Sequence, residues 1–124
     1  MKPRVVEALA RATHECNRCY SFAVGRNDLG GSWEQLPLAQ KNVTYAAIRR
    51  LVEEGLTARE VHEAWLFDMK REGWSYGSER DLIAKMDPRV QPWDSLPGIE
   101  RDRILLFTSV CRTMISALPA AVVR

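Results

Sequence analysis

Ala10-Arg11-Ala12-Thr13-His14-Glu15 returns, 48 positions on, as Ala58-Arg59-Glu60-Val61-His62-Glu63, and Trp33-Glu34-Gln35-Leu36-Pro37 returns, 60 positions on, as Trp93-Asp94-Ser95-Leu96-Pro97. Both halves keep one order: A-R-x-x-H-E, then W-acidic-x-L-P, then a helical run. Duplication and fusion of one helix-loop-helix unit explains that order. The loop between the two motifs is about a dozen residues longer in the second copy. A shared scaffold keeps core positions alike, so the inserted loop is the first place to look for function.

Outward from the motifs, apolar periodicity and stop signals predict four helices. Val5, Leu9, Ala12, Cys16, Cys19 or Tyr20, and Ala23 form one apolar face from near Pro3 to the region before Gly25. A second helix opens near Pro37, where a missing N–H costs nothing, and runs to about Glu54 with Gly55 as its stop; its expected stripe is Ala39, Val43, Ala47 and Leu51. Thr57-x-x-Glu60 is a capping box that starts a third helix at Ala58, ending at Gly73. The fourth runs from about Pro97 or Gly98 to Leu118, ahead of Pro119, with Phe107, Val110, Cys111, Met114 and Leu118 facing the core. Between helices three and four, Gly73-Trp74-Ser75-Tyr76-Gly77 and Arg89-Val90-Gln91-Pro92-Trp93 read as two short extended pieces, with Pro88 and Pro92 forbidding a longer ladder. The expected fold is therefore mainly α. It is a single domain over 1–124, made of two pseudo-repeated helical pairs (3–55 and 56–118) and a short two-stranded β-like loop between helices three and four.

Composition sets the class. Hydrophobic residues make up 46% and charged residues 27%, as in a globular domain, and 124 residues suffice for one core. No apolar run approaches a membrane span, and Met1-Lys2-Pro3-Arg4 leads into an amphipathic helix rather than a signal-peptide core, so no membrane and a cytoplasmic location are expected. A net charge of +2, with acids interspersed among bases, argues against steering onto a nucleic acid polymer.

The motifs exclude several chemistries. Neither His-Glu pair is H-E-x-x-H, since Arg18 and Leu66 stand where the second histidine would be. On the helical wheel His62 borders an apolar face whereas His14 lies beside Arg11 and Arg18, so the copies match by motif and differ by environment. Each histidine reads either as a hydrogen-bonded structural group or as a ligand contact. Cys16-x-x-Cys19 sits inside a helix, not at a strand-to-helix junction, and Cys111 is far away. Small buried residues account for the cysteines better than a redox pair or a metal site does. Lys41, Tyr45 and Arg49 form a stripe of the solvated kind. No phosphate loop, nucleophile motif or metal cluster stands out, so no catalytic residue, metal ligand or cofactor is assigned and no enzyme is expected.

Gly73-Trp74-x-Tyr76-Gly77, then Arg80-Asp81, Lys85, Pro88, Pro92 and Asp94-x-Leu96-Pro97, preceded by His62-Glu63-x-Trp65, resembles the RyR domain, a module named for the ryanodine receptor and also found as small bacterial and phage proteins. His14-Glu15-x-Asn17-Arg18-x-Tyr20 and Trp33-Glu34-x-x-Pro37 are similar to the N-terminal half of the small stand-alone members, so the resemblance covers residues from about 8 to 115. The chain departs from the family pattern at Asp87, where many members have histidine, at Val90-Gln91 in place of Leu-Val, and at Trp93 in place of tyrosine.

The resemblance implies a non-enzymatic binder of a nucleotide-derived small molecule, a cyclic nucleotide or ADP-ribose derivative, acting as a sensor or sequestering protein in phage–bacteria nucleotide signalling. The residues are compatible with it. Trp74 and Tyr76 offer flat surfaces on which a base stacks, and Arg80 and Lys85 offer cations for phosphate. Asn17, Arg18, Tyr20, His14 and His62 add polar groups, which places the expected ligand between the Trp74–Lys85 loop and the His14–Tyr20 face. The plainer reading is that Trp74 and Tyr76 cap the core and that Arg80 and Lys85 are solvated charges. The competing function is a protein-interaction or self-assembly module using the Trp74/Tyr76 loop, with a homo-oligomer allowed.

Overall fold

A computed structural model describes residues 1–124. The chain forms α1 (Pro3–Ala23), a 3-10 turn (Trp33–Gln35), α2 (Leu38–Glu54), α3 (Ala58–Arg71), a second 3-10 turn (Trp93–Ser95), α4 (Gly98–Ala117) and a one-turn α5 (Ala120–Val123). The order helix, 3-10 turn, helix thus occurs twice along the chain. The helix ends follow local chemistry. Past α1, Arg26 N–H donates to Ser21 O at 2.7 Å and Gly25 N–H to Phe22 O, with Gly25 at φ +81, a paired closure that only a left-handed residue completes. At the start of α3 both halves of the capping box form: Glu60 N–H donates to Thr57 Oγ1 at 3.2 Å, and Thr57 N–H to Glu60 Oε1 at 3.0 Å.

The two units interlock. Helix α1 packs most extensively on α4 of the other unit and next on α2. These two helices run antiparallel: Lys2 N–H donates to Val123 O at 3.1 Å, while Asn17 Nδ2 donates to Arg103 O at 3.1 Å. The core is Val5, Val6, Leu9, Ala10, Trp33, Ile48, Leu51 and Cys111, with Tyr45, Val52, Phe107 and Met114 packed against it.

Three expectations are corrected. The buried face of α1 runs through Val5/Val6, Leu9/Ala10, Thr13 and Ser21, while Cys16, Cys19 and Ala23 are exposed. The face is rotated because α4 covers it with polar as well as apolar groups, and a hydrophobic wheel does not weigh Thr13 or Ser21. On α2 the stripe is Ile48 and Leu51, with Val43 63% exposed. Finally, the stretch between α3 and α4 contains no strand. Ser75 N–H donates to Lys85 O at 2.9 Å and Asp87 N–H to Ser75 O at 3.1 Å, while Asp81 and Met86 exchange N–H to O bonds at 2.8 and 3.0 Å. These bonds make two isolated bridges at Met86 rather than a ladder. Lys85 at φ 55 reverses the chain inside the pairing, and residues 89–91 turn back on themselves with Val90 N–H donating to Asp87 O.

Candidate ligand-binding site

The repeated motif is a clamp. In both copies a histidine on the first helix reaches the carbonyl two residues before the motif tryptophan: His14 Nε2 lies 2.9 Å from Gly31 O, and His62 Nε2 2.7 Å from Gln91 O. A carbonyl only accepts, so each Nε2 carries the proton. The repeated arginine matches as well, with Arg11 paired to Glu34 and Arg59 to Asp94. The wheel separates the two histidines by environment, yet the fold gives both the same partner. Glu15 goes further in the first copy and accepts from Trp33 N–H at 2.8 Å; that bond, with Arg18 beside it, holds its carboxyl below the usual value.

The inserted loop is organised around a residue of the Asp87-Pro88 departure. Asp87 is 1% exposed, and its carboxylate takes Arg89 Nε at 3.1 Å, Arg89 Nη2 at 2.8 Å and Arg89 N–H at 2.8 Å. Burial alone would raise its pKa; Arg89 outweighs burial and lowers it. The Arg89 guanidinium lies 5.0 Å from the Trp65 ring centroid, Trp65 stacks on His62 at 5.7 Å, and His62 meets Trp93 at 6.2 Å. A continuous cation and ring stack therefore ties the loop to α3. Asp87 and Arg89 lie outside the expected site; their signal in the sequence is a carboxylate and a guanidinium two positions apart around a proline.

The loop's expected ligand groups are partly committed. Trp74 is half-buried with the Arg80 guanidinium 6.0 Å from its ring, and Arg80 also reaches Asp87 at 3.9 Å. Lys85 Nζ donates to Glu72 O at 2.8 Å. Tyr76 is 55% exposed and has no hydrogen bond to another side chain. On α1, Asn17 and Tyr20 turn toward α4: Tyr20 Oη donates to Asp102, which raises the phenol's pKa, and Asn17 Oδ1 is buried with no partner. His62 is buried. No hydrogen bond or ion pair joins His14, Asn17, Arg18 or Tyr20 to Trp74, Tyr76, Arg80 or Lys85.

Of the expected residues, Arg18 alone lines the cavity at the end of α1. This opening of about 300 Å³ lies between the C-terminal half of α1 and the turn that follows it, with Glu15, Arg18, Cys19, Phe22, Arg26 and Leu29 in its wall. Phe22 is 77% exposed. Arg18 pairs with Glu15 at 2.8 Å; Arg26 pairs with Asp28 at 2.9 Å and Glu100 at 3.6 Å. Behind Arg26, the buried Arg103 guanidinium binds Asp28, Glu100 and Ser21, and it is the chief cause of the lowered Asp28 pKa. Phe22 and Arg26 escape sequence reasoning because they flank a helix end whose turn is set by Gly25.

No group of histidine, cysteine and acidic residues is arranged to hold a metal ion, and no helix is long and apolar enough to cross a membrane. No curated protein matches the sequence. The RyR domain model matches residues 34–119. Reaching from the first 3-10 turn through the whole second copy, well over half of the chain, that match makes the protein a member of the RyR domain family.

Proposed function

We propose that this RyR domain binds a nucleotide-derived small molecule, without catalysis, at the cavity beside the end of α1. The observation that carries the reading is the make-up of that wall: two guanidinium groups, Arg18 and Arg26, and the exposed ring of Phe22 around about 300 Å³. Stacking a base on an aromatic ring is worth about 1–3 kcal/mol, and guanidinium forks match phosphate oxygens. Both arginines are already paired, but their side chains are 39% and 41% exposed, and exposed pairs of this kind hold by only about 0–1 kcal/mol. A phosphate can compete for them, while Glu15 stays held by Trp33 N–H and Asp28 by Arg103. Tyr76 and the outer edge of Arg80 are the groups the inserted loop has left to offer. Such a binder serves as a sensor or a sequestering protein in phage–bacteria nucleotide signalling, the setting the small stand-alone members suggest.

Calorimetry against a panel of cyclic nucleotides and ADP-ribose derivatives tests this. At least one should bind, Arg18→Ala with Arg26→Ala should weaken it by about tenfold or more, and the double variant should keep the wild-type circular dichroism. Absence of heat from every member of the panel would reject the reading. Loss of binding in Trp74→Ala alone, with the arginine variants silent, would move the site to the inserted loop.

A further inference from the structure

The cavity beside the end of α1 contains one acceptor whose position is fixed. Glu15 lies in its wall, with Oε1 tied to Trp33 N–H at 2.8 Å and Oε2 to Arg18 at 2.8 Å. Trp33 is itself buried in the core, so the carboxylate is anchored from inside the molecule. The second copy of the motif lacks this anchor: Trp93 N–H is not bound by Glu63, which meets Arg59 at 3.9 Å. The Trp33 N–H bond holds the Glu15 carboxyl below its usual value, so at neutral pH the group is ionised and only accepts. A carboxylate has about four lone-pair sites. Trp33 and Arg18 use two of them, and the side chain is 40% exposed, so acceptor capacity remains for a ligand.

One nucleobase matches an acceptor that has no donor of its own. Guanine sets N1–H and the N2 amino group side by side on its Watson–Crick edge, two donors for two carboxylate oxygens. Adenine and cytosine each set an amino group beside a ring-nitrogen lone pair, which a carboxylate repels, and the single N–H of uracil lies between two carbonyls. Next to N1, guanine also carries the acceptor O6. Asn27 in the same wall is exposed and its carboxamide makes no hydrogen bond within the chain, so Nδ2 is free to donate there. Phe22, 77% exposed, offers its ring to the face of the base. The opening of about 300 Å³ is at the small end of ligand pockets and takes one base.

We infer that this cavity selects guanine: the Glu15 carboxylate accepts from N1–H and the N2 amino group, the Asn27 amide donates to O6, and the base lies against Phe22. Selection of the base rests on the nucleotide reading of the cavity and narrows it to guanine-bearing ligands. Glu15 is then the specificity-determining residue. It acts without leaving Trp33, because the anchoring bond is what fixes its oxygens for the base edge.

Calorimetry with ligand pairs that differ only in the base tests this: cyclic GMP against cyclic AMP, cyclic di-GMP against cyclic di-AMP, and ADP-ribose against its guanine counterpart. In every pair that binds, the guanine member should bind about fivefold to a hundredfold tighter, the range a bidentate contact discriminates. Cyclic IMP, which keeps N1–H and lacks the N2 amino group, should fall between cyclic GMP and cyclic AMP. Glu15→Gln keeps an oxygen for Trp33 N–H and puts an amino group where Oε2 stands, a donor for adenine N1, so it should erase the guanine preference and turn it toward adenine. A gap under about fivefold, a gap in favour of adenine, or a guanine preference untouched by Glu15→Gln overturns the base assignment and leaves the nucleotide site standing. Should Glu15→Gln lose the wild-type circular dichroism, equal binding of cyclic GMP and cyclic IMP to the wild type overturns it instead. Silence from all the ligands rejects the nucleotide site and the base assignment together.

Discussion

Asp87 shows how one side chain can organise a loop. It is buried, it binds a guanidinium through two atoms, and it accepts from the backbone two residues on, so its removal leaves Arg89 without its counter-charge. Breaking a fully buried pair from one side costs about 3–5 kcal/mol, and the 41% exposure of Arg89 reduces that to about 2 kcal/mol for Asp87→Ala. Urea unfolding should show this as a lower midpoint, and an unchanged midpoint would mean that the pair does not brace the loop. Acid should act through the same group. Asp87, Asp28 and Glu15 all have lowered folded-state pKa values. A lowered value contributes stability that is complete above the unfolded-state pKa of about 4 and is lost as pH falls through the folded value. Thermal midpoints should therefore hold level from neutrality to about pH 5 and then fall. Asp87→Asn should start lower at neutral pH and fall less steeply. In the sequence Asp87 stands out as a departure from the family pattern, but its burial depends on Trp65 and Arg89 closing around it, which no local signal reports.

At the scale of elements, what could be read depended on how far each determinant reaches. The capping box at Thr57 and Glu60 and the glycine stops at Gly25, Gly55 and Gly73 act within a turn of the chain, and all of them fall where the residues imply. The buried faces of α1 and α2 depend on what covers them, and there the hydrophobic wheel fails: Arg103 of α4 takes Ser21 into the interior, Thr13 is buried on its own helix's Ala10 carbonyl, and Cys16 and Val43 are exposed. The inserted stretch fails as a hairpin for a similar reason, because its bonds converge on Met86 from two directions. Gly77 is the critical position in it. Alanine would set a Cβ 2.7 Å from Met86 Cβ, an atom near the backbone that cannot swing aside. Gly77→Ala should cost about 1–3 kcal/mol as overpacking. Hydrogen exchange should locate the damage: faster exchange at Ser75, Asp81, Met86 and Asp87, whose amides close the loop, with the helix interiors protected to the new global limit. Acceleration spread evenly over α1 and α4 instead would show that the loop has no structure of its own to lose.

Across the whole molecule, the two helix, 3-10 turn, helix stretches are not separate halves. The longest helix contact joins α1 of the first unit to α4 of the second, and Cys111 of α4 lies among Val5, Val6, Leu9 and Leu51 of the first unit. Neither unit can bury its apolar face without the other, so unfolding should be a single transition. The three cysteines offer a direct measure. Cys16 and Cys19 are exposed, whereas Cys111 is buried and burial pushes its thiol up to about 12. A thiol reagent at neutral pH should modify two cysteines at once and the third only when α4 leaves the core, because the attacking species is the thiolate and the site is closed. The labelling rate of Cys111 should rise with urea along the same slope as the global unfolding constant followed by circular dichroism. A shallower slope would mean that α4 detaches while α1 and α2 remain folded, and the duplicated units would then be thermodynamically separable despite their shared core.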